Sequence, residues 1–166
     1  MVFFMLLYLF SMKNVFAQDQ YKLTLEKQND IFISRKGTNL NDSQNFYLYK
    51  FNGMYAYCIE PGKHITTYNY LGINGFIDLK IDDDVKEKLE LIGYYGRDYP
   101  GHDSIRYSMA TQALIWELTG ADSVTFWTKL NAKGEEIDVT NERNEIIKLV
   151  NKHKVNKKTF FEHKLY

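Results

Sequence analysis

The chain has 166 residues, one domain's worth, and its 45% hydrophobic and 16% aromatic content is ample for a core. Lys+Arg and Asp+Glu balance at 21 each, so no charge excess calls for nucleic acid or an anionic membrane as a partner. There is no low-complexity tract and no internal repeat, and the 13 tyrosines suit β-structure.

Met1 to Phe10 reads MVFFMLLYLF, too short an apolar run to span a bilayer. Val15-Phe16-Ala17 comes after it as a small-residue cleavage site, and the whole predicts a secretory signal over 1–17. The mature domain then covers 18–166, exported or held at the cell surface. Export sharpens the meaning of a single cysteine, Cys58. It has no partner for an internal disulfide, which leaves intermolecular pairing, a reactive role or a small buried hydrophobe.

Tyr21 to Glu26 alternates and predicts a strand with Tyr21, Leu23 and Leu25 on one face. Ile31 to Ser34 predicts a second, shorter one. Thr38 to Gln44 is polar and predicts a loop. Asn45 to Phe51 and Met54 to Ile59 flank Asn52-Gly53, the strongest short hairpin signature. A two-residue turn pairs Phe51 with Met54, Tyr49 with Ala56 and Tyr47 with Cys58. Cys58 is then held near the end of a rigid strand, just before Glu60-Pro61-Gly62 breaks it. Lys63 to Lys80 predicts irregular structure.

The rest of the chain predicts three helices. Asp82-Asp83-Asp84 caps one over Val85 to Tyr95, with Val85, Leu89 and Ile92 as its stripe. The second starts at Asp103 or Ser104 and stops at Gly120. Ile105, Met109, Gln112, Ile115 and Trp116 fall on one of its faces, and Tyr107, Leu114 and Leu118 on the other. A helix apolar nearly all round is buried, so this one is predicted to be central. Gln112, in the middle of its apolar face, needs a partner, because an unpaired buried amide costs about 1–3 kcal/mol. Ser123 to Leu130 reads as a strand and Asn131 to Asp138 as a polar excursion. Thr140 or Asn141 caps the third helix, with Ile146, Ile147 and Val150 buried and an end near His153. Lys157 to Tyr166 resumes strand character and stops abruptly, which predicts a domain cut short at its C-terminus.

Cys58 on a hairpin and Gln112 on a buried helix suggest one chemistry together. A thiolate attacking the glutamine side-chain amide expels ammonia and leaves a thioester between Sγ and Cδ. Holding two such atoms in contact is worth about 7–11 kcal/mol of barrier. Tyr57-Cys58-Ile59-Glu60 resembles the aromatic-Cys-aliphatic motif of the thioester domains of Gram-positive surface adhesins. Thr111-Gln112-Ala113-Leu114-Ile115-Trp116 resembles their second motif. The order and separation of the two are similar too, as are the segments Gly93 to Gly101 and Phe126 to His153. The resemblance covers roughly Tyr21 to Phe160.

It implies an α+β fold, with a β-sandwich or barrel-like part carrying the cysteine and a packed helical part carrying the glutamine. It implies a Cys58–Gln112 thioester, with Tyr57, Thr111 and Trp116 in support, and no cofactor or metal. It also implies single-turnover covalent capture of an amine on a host surface or matrix protein, by a cell-surface chain with no membrane segment in its mature form. The stalk domains and sorting motif usual in that family are not in this sequence, so wall attachment is not among the expectations. Two other classes remain open at this level. One is a cysteine-nucleophile enzyme using Cys58 with His64 or His102, each read as a solvated loop histidine. The other is a non-covalent module binding through exposed tyrosines.

Overall fold

The computed structural model describes residues 20–36, 43–51, 53–61, 69–71 and 81–162. The predicted leader over 1–17, His64 and most of Lys63 to Lys80 lie outside the described residues.

Five strands form one curled antiparallel sheet, a half-barrel, and three helices pack beside it, so the fold is α+β. Strand β1 runs Gln20–Lys36 and is the spine of the sheet. Along one edge it pairs with β2, Ser43–Phe51, from Leu23↔Phe51 to Ser34↔Ser43. Strand β3, Met54–Ala56, closes the hairpin with β2. Two short strands share the other edge of β1. Strand β4, Asn69–Leu71, pairs with its first residues, and β5, Ser123–Trp127, with Phe32 to Lys36.

The two strands predicted over Tyr21–Glu26 and Ile31–Ser34 are thus one. The polar stretch between them is absorbed by a register shift between Gln28 and Phe32, an irregularity that bends a strand without ending it. Strand β4 falls in a segment expected to be irregular. The hairpin register agrees with expectation at Phe51↔Met54 and Tyr49↔Ala56 but goes no further, because pairing stops at Ala56. Tyr47 and Cys58 are therefore not a cross-strand pair.

Helix α1 spans Asp83–Tyr94, α2 spans Ile105–Leu118 and α3 spans Thr140–Glu162. Asp82 and Ser104 occupy the N-cap positions of α1 and α2, but neither side chain makes the capping bond. Gly120 closes α2 with φ +125°, a value L side chains rarely adopt. At α3 the cap comes from Asp138, not Thr140 or Asn141: its Oδ1 accepts the Thr140 N–H at 2.8 Å. Strand β5 stops short of Leu130, which begins a 3₁₀ turn over Leu130–Ala132.

Helix α2 is the centre of the molecule, packed by α1, α3 and β5. Every residue from Ser108 to Trp116 is buried. Ala110 and Ala113, both at 0% exposure, let its neighbours approach closely on two sides. Arg106 bonds Glu142 at 2.5 Å, Tyr107 donates to Glu145 at 2.6 Å, and Arg143 pairs with Glu117, so polar contacts line the α2–α3 seam. On the sheet side Phe46 and Phe126 meet edge to face at 5.5 Å, with Ile33 in the same core. Ile146 and Val150 of α3 are buried as expected, but Ile147 is 41% exposed. The helix also continues through Lys157 to Glu162, where strand was expected, because no glycine or proline after His153 interrupts it. Among the described residues no helix is long and apolar enough to cross a membrane.

The turn joining α1 to α2 touches the central helix at one tight point. A Cβ built on Gly96 would lie 2.5 Å from Thr111 Oγ1 and 2.9 Å from its Cγ2. Thr111 is fully buried on rigid backbone, so neither side can yield. Gly96→Ala is expected to destabilise the domain by about 1–3 kcal/mol, the usual cost of overpacking. Chemical denaturation of the variant measures it; an unchanged midpoint would show that the turn is free to move.

Candidate functional site

Beyond Ala56 the chain leaves the sheet, and Tyr57, Cys58 and Ile59 pack into the core against the side of α2. Cys58 is therefore held by the helix and not by a strand partner. Two consecutive residues of this segment meet two consecutive residues of α2. The Tyr57 oxygen accepts the Arg97 N–H at 3.3 Å and lies against the Thr111 hydroxyl. That hydroxyl in turn donates to the Tyr107 carbonyl at 2.6 Å. One residue on, Gln112 engages Cys58.

That engagement is bidentate. The Cys58 N–H donates to Gln112 Oε1 at 3.1 Å, and Gln112 Nε2 donates to the Cys58 carbonyl at 2.7 Å. The amide in the apolar face thus has its partner, and the partner is the backbone of the one cysteine. Both residues are buried, at 5% for Cys58 and 2% for Gln112. Sγ is two bonds from the Cα whose flanking amide and carbonyl hold the carboxamide, so thiol and carboxamide belong to one buried cluster. The Cys58 N–H is also aimed at the oxygen that would carry charge if that carbon were attacked, the position of an oxyanion donor.

Sγ donates to the Glu60 carbonyl at 3.2 Å. Burial pushes the Cys58 thiol above its usual range, while Trp116 and Arg35 pull the other way. Burial likewise raises Tyr57 and Tyr49 to about 12, so both phenols remain neutral donors and acceptors around the thiol.

Trp116, one helical turn beyond Gln112, is 3% exposed. The guanidinium of Arg35 lies over its ring, 4.8 Å from the centroid. Arg35 does not stand out in the sequence, yet it is only 1% exposed. The available signal is the alternation of Ile31, Ile33 and Arg35, which puts the arginine on the inward face of β1.

His102, expected as a solvated loop residue, is buried at 2% exposure. Its ring stacks on Tyr107 at 3.8 Å and 8°. Its Nδ1 meets the carbonyls of Tyr95 at 2.8 Å and Gly96 at 3.2 Å, and its Nε2 lies 3.5 Å from Glu145. These partners tie the α1–α2 turn to α3, and Cys58 is not among them. Among the described residues no cluster of three or more His, Cys, Asp or Glu side chains has the arrangement of a metal site.

A family model for the thioester domain matches residues 55–155, more than half of the chain. The match opens three residues before Cys58 and takes in all of α1 and α2 and the first part of α3. No curated protein and no solved structure matches the chain. The chain belongs to the thioester-domain family.

Proposed function

We propose that Cys58 and Gln112 are the two ends of the internal thioester, and that the domain is a bacterial surface adhesin module which uses it to capture an amine on a host ligand. The observation that carries this reading is the bidentate clamp between the Gln112 carboxamide and the Cys58 backbone. The Cys58 sulfur attacks Gln112 Cδ, the carbon–nitrogen bond breaks, and ammonia leaves with the thiol proton. The product stores an electrophile inside the domain. An external amine then attacks the same carbon, the carbon–sulfur bond breaks, and the thiol is restored as an amide forms. Each molecule reacts once, so the domain is a covalent binder and not an enzyme, and it needs no cofactor.

Export to the cell surface rests on the expected leader at 1–17, and the partner is a host surface or matrix protein presenting a primary amine. Neutral overall charge gives no reason to invoke nucleic acid. A cysteine-nucleophile enzyme would need a base beside Cys58, and His102 faces Tyr107, Glu145 and backbone carbonyls instead.

Intact mass of the folded protein tests the proposal. The purified domain is expected to weigh one ammonia less than its sequence and to gain one methylamine on incubation with that amine. A mass equal to the sequence, with a titratable thiol on Cys58, would sink it.

A further inference from the structure

The indole Nε1–H of Trp116 is buried and has no hydrogen-bond acceptor among the described residues. A donor in that state costs about 1–3 kcal/mol, so native structures rarely keep one without a use. Its position suggests the use. Trp116 comes one turn after Gln112 on the same helix face, and Gln112 is bonded to Cys58. The indole is also near enough to the Cys58 sulfur to favour its charged form. Arg35 stacked at 4.8 Å on the ring holds the indole in place and makes its N–H a better donor. The other tryptophan differs: the Trp127 indole already donates to Thr125 Oγ1 at 3.1 Å.

We propose that Trp116 Nε1–H is the hydrogen-bond donor that receives the Cys58 sulfur whenever it carries negative charge. This rests on the thioester reading above and adds a residue to it. Sulfur carries negative charge twice, first as the thiolate formed just before it attacks Gln112 Cδ and again when an amine displaces it. In the second step the amine nitrogen bonds to Cδ, the carbon–sulfur pair moves onto Sγ, and the leaving thiolate accepts the bond from Nε1–H until a proton from the amine reaches it. A thioester sulfur is a poor acceptor, so the indole has no strong partner in the resting state and acquires one as the bond breaks.

Site-specific replacement of Trp116 by 3-benzothienylalanine tests this in the full chain. The substitution keeps the ring and the Arg35 stack and exchanges N–H for sulfur. The variant is expected to melt with the parent and to capture methylamine about tenfold to a hundredfold more slowly by intact mass, the loss of one hydrogen bond to a charged atom. A variant that melts with the parent yet never sheds ammonia also supports the donor role, at the closing step. Capture at the parental rate would overturn it. If the parent itself shows no ammonia loss, the thioester reading fails and this inference falls with it.

A second measurement needs no variant. The two tryptophans give two indole signals in a ¹H–¹⁵N spectrum. After methylamine has opened the thioester, raising the pH until the freed Cys58 thiol ionises should move the Trp116 signal and leave that of Trp127 in place. A Trp116 signal that does not move would overturn the proposal even if the substituted protein fails to fold.

Discussion

Gln112→Ala is expected to abolish both the ammonia loss and every covalent amine adduct, and Cys58→Ala is expected to do the same. Their effects on stability should differ. Cys58→Ala removes a thiol but keeps the backbone groups that hold the Gln112 carboxamide. Gln112→Ala removes the carboxamide and leaves a buried N–H and a buried carbonyl of residue 58 without their partners. Each such group costs about 1–3 kcal/mol when unpaired. The good helix propensity of alanine offsets only a few tenths of that. Gln112→Ala should therefore be the less stable of the two by about 1–3 kcal/mol or more in denaturant unfolding. Mass spectrometry with methylamine reads the chemistry of both. An adduct that survives Gln112→Ala but not Cys58→Ala would identify a cysteine nucleophile acting without the glutamine.

The same clamp shows which parts of the site the sequence carries. Gln112 is conspicuous because an amide in the middle of an apolar helix face must have a partner, and helical periodicity alone exposes the anomaly. Asn52-Gly53 sets the hairpin register through Ala56, since a two-residue turn leaves one pairing. Past Ala56, tertiary contacts decide the path of the chain. Tyr57 and Cys58 leave the sheet because Thr111 and Gln112 offer better partners than β2 does, and no local pattern records that competition. His102 is another case. A histidine after Pro100-Gly101 looks solvated until the carbonyls at the end of α1 and the ring of Tyr107 enclose it. Arg35 carries no such mark, because an arginine near a strand end is ordinarily a surface residue, and the Trp116 ring its guanidinium lies over comes from a distant helix. At the other end of the chain, the β-branched and aromatic residues from Lys157 to Glu162 argue for strand by composition. Continuation of α3 overrides that preference, since extending a helix already nucleated adds one hydrogen bond for each residue fixed.

Trp116→Ala is expected to have the largest effect on stability of all these substitutions. The ring is almost wholly buried in the core shared by β1, β2 and α2. Truncating a buried aromatic to alanine costs about 3–5 kcal/mol, from lost contacts and from the cavity left behind. Here the cavity would open beside a guanidinium that loses its aromatic face, so the cost should fall toward the upper end. Such a loss is a large fraction of the stability of an ordinary domain. In the molecules that still fold, water gains a path to the bond between Cys58 and Gln112, and hydrolysis leaves a free thiol opposite a glutamate at position 112. Thiol titration of the folded fraction measures this directly. Comparison with the benzothienyl variant separates the two roles of the residue. Loss of the ring should raise the free-thiol fraction, whereas loss of the N–H alone should slow capture and leave the resting thioester intact. A Trp116→Ala protein that folds and keeps its thiol as masked as the parent would show that the ring is core and shields nothing.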